Sequence, residues 1–244
     1  MQNVIVSGGS RGLGLAMART LSAAGYRVLA LARKSTDELT AASRAAAEGG
    51  RGAIEFRACD LSELSQIAPL VKALRTDFGP IYGLVNNAGL GSSGLLSTMR
   101  DRDIERLIQL NTVSPILLSK YVVRSMMTQR AGRIINIASI VASTGYAGLS
   151  VYSATKASLI GFTRSLAREV GQLGITVNAL APGFIATEMT DELNESQRQQ
   201  IARRSALKRM AEPIDVASSI EFLLSDAGRN ITGTTLTVDA GNTA

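Results

Sequence analysis

Tyr152 and Lys156 stand four residues apart in the stretch VYSATKASL, residues 151–159. In a helix that spacing puts both side chains on one face, with Cβ atoms about 5–6 Å apart. A free tyrosine ionises near pH ~10, too high for efficient proton exchange at neutral pH. A neighbouring ammonium stabilises the phenolate and draws that value down. Lowering it by about three units needs about 4 kcal/mol, much of which a lysine about 4–6 Å away in a partly desolvated site supplies. The pair therefore reads as an acid–base device, the plain alternative being a solvated pair on a helix surface. Ser139, thirteen residues earlier and at the end of an aliphatic run, favours the chemical reading.

Other routes to such chemistry are closed. The 244-residue chain contains no histidine and a single cysteine, Cys59. Neither a Ser-His-Asp triad nor a Cys-His pair can be built. Histidine-ligated zinc and four-cysteine zinc are excluded as well, so no metal site is expected. Proton transfer is left to Tyr, Lys, Asp, Glu or water.

A second motif lies near the start. The segment SGGSRGLG runs from Ser7 through Gly8, Gly9, Ser10, Arg11, Gly12 and Leu13 to Gly14. Its spacing is not G-x-G-x-x-G, because Met17 takes the third place counted from Gly12. The physics is nonetheless shared: glycines let backbone turn tightly against a pyrophosphate, and the following helix offers free N–H groups. An ordinary tight turn is the alternative. The second aliphatic run ends in Ala32-Arg33-Lys34, with no acid to receive a ribose 2′-hydroxyl. Together with Arg11, Arg33 and Lys34 suit a 2′-phosphate, so NADP(H) is expected over NAD(H). Solvated loop cations are the other reading of Arg33 and Lys34.

Elements must bring these residues together. Aliphatic runs at 4–8, 26–32, 53–60, 81–89, 133–139, 175–183 and 234–241 read as strands. Between them lie helical stretches at 12–25, 36–49 and about 62–78, two helices over about 99–130, and the helix carrying Tyr152. Gly25 is placed to end the first helix. The alternation specifies an α/β fold, a doubly wound parallel sheet with helices on both faces, in one domain over 1–244. In such sheets ligands bind beyond the carboxyl ends of the strands, where all these motifs fall.

Bulk properties narrow the partners. Net charge is +6, and a solvated basic surface is the plain explanation. The densest basic stretch, ARRSALKRM at 202–210, lacks interleaved aromatics, so no nucleic acid is expected. No apolar run reaches about 18 residues, so no membrane span is expected. The lone cysteine and an N-terminus without a basic leader point to the cytoplasm. Small residues recur on the Tyr152 helix at Ser153, Ala157, Gly161 and Ser165. They suit either packing on the sheet or a helix–helix contact between subunits.

Gly8-x-x-x-Gly12-x-Gly14, Asn86-Asn87-Ala88-Gly89, Ser139, Tyr152-x-x-x-Lys156 and Pro182-Gly183 together resemble the short-chain dehydrogenase/reductase family, from Val4 to Gly241. SRGLG, GRIINIAS, SLAREV, GITVNALAPGFI and ITGTTLTVD are similar to its 3-oxoacyl-[acyl-carrier-protein] reductases of fatty acid synthesis. The resemblance implies a Rossmann-type fold of about seven strands and hydride transfer between NADP(H) and the ketone of a 3-oxoacyl thioester, the alternatives being a coenzyme A thioester or another ketone as substrate, or a dinucleotide-sensing module without catalysis. Tyr152 would protonate the alkoxide, Ser139 orient the carbonyl oxygen, and Lys156 lower the phenol pKa and hold the nicotinamide ribose. Asn111 matches a fourth catalytic position that helps hold a water linking Lys156 to solvent, helix kinking or capping being its alternative role. Asp60 and Leu61 would border the adenine, Asn87 the ribose side and Ile185 the nicotinamide carboxamide. Ala88, Gly89, Pro182, Gly183 and Thr187 complete the implied cofactor set.

The family also implies a dimer or tetramer, here a homotetramer, with segment 234–241 at a second interface. The polar stretch between Pro182 and Pro213 reads as a substrate lid. An acidic acyl carrier protein is an expected partner. Arg130 matches one of two arginines that dock such carriers, but the second position holds Leu173. Arg168, Arg203 and Arg204 are the nearby substitutes.

Overall fold

The computed structural model describes residues 1–91, 93–185 and 194–244. In chain order the regular elements are β1 (Asn3–Ser7), α1 (Gly12–Ala23), β2 (Arg27–Ala32), α2 (Asp37–Gly49), β3 (Ala53–Ala58), α3 (Ile67–Phe78) and β4 (Ile81–Asn86). There follow α4 (Asp101–Ile108), α5 (Ser114–Gln129), β5 (Gly132–Ile137), α6 (Ser150–Val170), β6 (Ile175–Pro182), α7 (Glu195–Arg204), α8 (Pro213–Leu224) and β7 (Thr235–Val238).

Among the described residues seven strands form one sheet in the order β3-β2-β1-β4-β5-β6-β7, every pair parallel. Strand alternation divides the core into two layers. Val4, Val6, Val28 and Ala30 face α1 and α8, against Leu15, Leu21, Val216 and Ile220. Ile5, Leu29 and Leu31 face the other way, against Ile67, Val71, Leu118 and Val122 of α3 and α5. Both faces are therefore apolar, which is why the strands read as continuous aliphatic runs rather than alternating ones.

The expected doubly wound sheet is present. Gly25 ends α1 at φ 95°, with Gly25 N–H donating to Ser22 O and Tyr26 N–H to Leu21 O, the paired bonds that close a Schellman turn. Several strands stop short of their sequence bounds: β4 at Asn86, β5 at Ile137 and β7 at Val238. Asn87–Gly89 and Ser139 thus lie in loops just beyond strand ends. A 3₁₀ turn over Leu64–Gln66 precedes α3. Helices α4 and α5 are joined by a π-helical turn, Gln109–Val113, that holds Asn111.

Strand β1 sits between β2 and β4, so the strand order reverses there and a crevice opens at the carboxyl edge. Helices α5 and α6 run back against the strands. Their C-terminal ends, with Arg130 and Leu173, lie at the opposite, amino edge.

Candidate active site

Three loops meet at the crevice, and short polar side chains fasten them. Ser7, the last residue of β1, accepts at Oγ from the N–H groups of Asn87 and Ala88, both at 2.9 Å. Asn87 Nδ2 donates in return to Ser7 O at 2.9 Å. On the other side Gly9 N–H donates to Leu31 O, and Thr36, the N-cap of α2, donates from Oγ1 to Ser10 O at 2.7 Å. The glycine loop is thereby pinned between β2 and β4.

The glycines have separate reasons. Gly8 and Gly12 hold φ of 68° and 52°, the left-handed region costly for other residues. A Cβ on Gly14 would lie 2.1 Å from Gly8 O, so the start of α1 packs directly on the loop. Arg11, the N-cap of that helix, gives no side-chain cap, and the first turn holds no acid. Its leading N–H groups are left without a side-chain acceptor among the described residues, as an incoming pyrophosphate requires. Arg11, Arg33 and Lys34 are exposed around this corner, and Ala32, half-buried at the tip of β2, is followed by no acid. The cradle fits a phosphorylated dinucleotide.

Asp60 follows β3 and accepts at Oδ1 from Ser62 N and Oγ at 2.9 and 2.6 Å. Those bonds, with Arg33 and Arg106 nearby, hold its carboxyl below the usual range. The Leu61 side chain is buried in the layer beneath α3. Cys59 is buried too, its thiol pushed up to about 11 by burial and then by Asp60, which leaves it inert.

At the centre stands Lys156, buried, whose Nζ donates to Ile137 O at 2.8 Å. The same ammonium lies 5.7 Å from the centroid of the Tyr152 ring. Burial lowers it to about 8. Burial also raises the Tyr152 phenol above its ordinary value, and a hydrogen bond with the Ser139 side chain draws it part of the way back. Lys156 is not among the causes of that shift. The expected lowering of the phenol by Lys156 is therefore not seen in the chain's own groups: desolvation is the larger effect, and the Ser139 hydrogen bond opposes it. Ser139 is held extended beyond β5, its Oγ accepting from Val141 N at 3.4 Å. Two hydroxyls, from Ser139 and Tyr152, thus converge at the carboxyl edge.

Asn111 is almost wholly buried. Its Oδ1 accepts from Leu90 N at 2.8 Å, while its Nδ2 donates to Leu90 O at 2.9 Å and Thr155 Oγ1 at 3.2 Å. It pairs with Leu90 as a strand residue would and ties the loop after β4 to α6. A Cβ on Gly89 would come 3.2 Å from Asn111 Oδ1 and 3.6 Å from Lys156 Nζ, so Gly89 brings backbone close to both.

The outer wall is aromatic. Tyr146 and Phe184 meet edge to face with centroids 5.9 Å apart. Gly94 N–H donates to Gly148 O, joining the loops after β4 and β5. Pro182 ends β6, Gly183 N–H donates to Val238 O, and buried Ile185 forms a lone bridge with Ala211. Thr187, with the rest of residues 186–193 of the expected lid, lies outside the described residues. On α6, Ala157, Gly161 and Ser165 are exposed, so this stripe faces away from the sheet. Arg130, in the left-handed region at φ 51°, donates to Gln172 O at 3.1 Å at the far edge.

Sequence reasoning missed Ser7, Thr36 and Thr155. Each is a short hydroxyl residue whose partner is set by tertiary structure. The only sequence trace is at Thr36, a hydroxyl ahead of the acidic helix start Asp37-Glu38.

Comparison with known proteins accords with this geometry. The profile of the family described as "Enoyl-(Acyl carrier protein) reductase" matches residues 8–243. The 3-oxoacyl-[acyl-carrier-protein] reductase of Haemophilus influenzae is 43% identical over 237 residues, covering 97% of this chain and 96% of its own. That of Escherichia coli is 41% identical, covering 97% and 95%. Among solved structures, a short-chain dehydrogenase/reductase mutant from Serratia marcescens superposes with a TM-score of 0.92 at 30% identity, covering 100% and 98%. A blue fluorescent protein from a metagenomic library, in complex with NADPH, gives 0.91 at 34%, with the same coverage.

Proposed function

Because the chain belongs to the short-chain dehydrogenase/reductase family, we propose that it is an NADPH-dependent reductase of the ketone in 3-oxoacyl thioesters, the reaction class of the carrier-dependent reductases of fatty acid synthesis. The observation that carries this reading is the convergence of the Ser139 and Tyr152 hydroxyls beside buried Lys156. Two O–H donors suit a carbonyl oxygen that gains negative charge.

The cofactor-holding set is the glycine loop from Gly8 to Gly14, with Arg11 and Arg33 for the 2′-phosphate, Asp60 and Leu61 toward the base, and Asn87, Ala88 and Gly89 along the ribose. Pro182, Gly183, Ile185 and Thr187 complete it. A reduced nicotinamide, when bound, supplies the hydride. Ser139 donates a hydrogen bond to the substrate carbonyl oxygen and fixes its position. Tyr152 gives its proton to that oxygen as charge develops there. The phenolate left behind is stabilised by the Lys156 ammonium, which is protonated below pH about 8. Asn111 holds the loop after β4 against α6, keeping Gly89 and Lys156 in register.

The family profile is described by enoyl reduction and the curated relatives by 3-oxo reduction, so the substrate bond must be tested directly. Purified protein with NADPH is expected to turn over acetoacetyl thioester at least 100-fold faster than crotonyl thioester. A preference for crotonyl thioester overturns the ketone reading. We further propose that residues 1–244 act as one domain in the cytoplasm, and that the outward stripe of Ala157, Gly161 and Ser165 packs on a second copy within a homotetramer. Light scattering of Gly161→Arg is expected to show smaller particles than the parent.

A further inference from the structure

We propose that the cleft between the C-terminal ends of α3 and α5 is a binding site for a small phosphate monoester, separate from the cofactor crevice. It lies at the amino edge of the sheet, opposite the edge that carries Ser139 and Tyr152.

Its composition is the first argument. Lys72, Arg75 and Thr76 line the cleft from α3, and Ser125, Thr128 and Gln129 from α5, around a volume of about 460 Å³. Ligand pockets run from roughly 300 to 1,000 Å³, so a molecule of metabolite size fits. The lining holds two cations, four neutral hydrogen-bonding side chains and no acid. Lys72 and Arg75 are three residues apart and therefore neighbours on one face of α3. Both are exposed, and among the described residues neither pairs with a carboxylate. Asp77, close by in sequence, is taken by Arg57 at 3.2 Å. A phosphate monoester carries about −1.5 to −2 charges at neutral pH, a closer match to two cations than a carboxylate.

Cations near a helix C-terminus commonly serve to offset its free carbonyls. Here the chain covers those carbonyls itself. Gly79 N–H donates to Arg75 O, and Asn3 Nδ2 donates to Phe78 O at 2.9 Å and to Pro80 O at 2.8 Å. On α5, Arg130 N–H donates to Met127 O, Ala131 N–H to Met126 O, and Gln129 Nε2 to Ser125 O at 3.2 Å. The charge of Lys72 and Arg75 is thus left for a ligand.

Ser125 is the second and independent observation. It is 3% exposed, yet its hydroxyl has no hydrogen-bond partner among the described residues. Buried hydroxyls are normally paired. Ser119, buried on the same helix, is paired and accepts from Asn86 Nδ2 at 3.0 Å. The Ser125 hydroxyl borders the cleft instead, where an oxygen of a bound anion would accept its proton.

Calorimetric titration with phenyl phosphate tests the site, in saturating NADPH so that the cofactor crevice is filled. The parent is expected to saturate with a Kd below about 1 mM. Lys72→Gln/Arg75→Gln is expected to bind at least tenfold more weakly, and Ser125→Ala at least threefold. Phenyl sulfate, of the same shape with a single charge, is expected to bind the parent at least threefold more weakly than phenyl phosphate. Arg130→Gln removes a cation from the same edge but outside the cleft, and is expected to stay within twofold. An NADPH Kd within twofold of the parent shows that each variant is folded. Weaker parent binding, a smaller loss in the double variant or an equal loss in Arg130→Gln overturns the proposal. Vesicles containing phosphatidic acid are expected to leave the protein in the supernatant. Sedimentation with them that the double variant abolishes would assign the phosphate to a lipid and overturn the small-ligand reading.

Discussion

The Lys156 ammonium lies 5.7 Å from the centre of the Tyr152 ring, and the same nitrogen is held 2.8 Å from the Ile137 carbonyl. Two ionisable groups therefore share one buried patch, and burial disfavours the charged form of each. Lysine is drawn down to about 8 and the phenol is pushed up, so the pair stays ammonium and phenol at neutral pH. That is the protonation state a proton donor with a ready counter-charge needs.

The first prediction concerns stability against pH. With Lys156 at about 8 in the fold and at about 10.4 in the unfolded chain, the unfolded state binds more protons between those values. Stability contributed by this group thus rises with pH across that window and is flat below it. Cys59, raised to about 11, and the raised tyrosines act in the opposite sense at higher pH. Subtracting urea unfolding free energies of Lys156→Met from those of the parent cancels them. The difference is expected to grow by about 2.5 kcal/mol from pH 8 to 10.5.

Asn111→Ala removes the partner of both Leu90 backbone groups and of Thr155. Leaving those groups unpaired in a buried site is expected to cost about 2–4 kcal/mol in chemical denaturation. Turnover is expected to fall further than stability explains at temperatures where the variant is fully folded.

Gly14→Ala and Gly12→Ala separate packing from backbone strain. A Cβ on Gly14 meets Gly8 O, whereas one on Gly12 meets nothing within 4 Å and carries only the cost of a positive φ. Gly12→Ala is expected to lose about 1–2 kcal/mol of stability. Gly14→Ala is expected to lose more and to abolish NADPH binding, as read by nicotinamide fluorescence.

Arg33→Ser tests the 2′-phosphate corner. Loss of one charge-assisted contact, about 1.5–3 kcal/mol, is expected to lower kcat/KM for NADPH by about 10–100-fold and to leave NADH within threefold. Equal losses for both cofactors would contradict the assignment.

Much of this was legible in the chain because it rests on local signals. Aliphatic runs buried on both faces, Gly25 at a helix end and the Tyr152–Lys156 spacing each need only neighbouring residues to be read. The strand tips were overrun because Asn87–Gly89 and Ser139 continue the strand composition, and only hydrogen bonds to Ser7 and Val141 show that the backbone has left the sheet. The π turn at Asn111 inserts one residue into a helix, too small a phase slip for periodicity to register. Ser7 and Asn87 are 80 residues apart, and nothing in either neighbourhood announces the bond between them. The balance at Tyr152 was misjudged for a related reason: spacing reveals the nearby cation but not how deeply both groups are buried.

Proton delivery by Tyr152 is tested most directly by single-turnover reduction of acetoacetyl thioester in Tyr152→Phe, with NADPH affinity measured on the same protein. The rate is expected to fall by about 10²–10⁴, the range of a lost general acid, while the NADPH Kd stays within threefold. A variant that reduces the ketone within tenfold of the parent rate would contradict the proposed role.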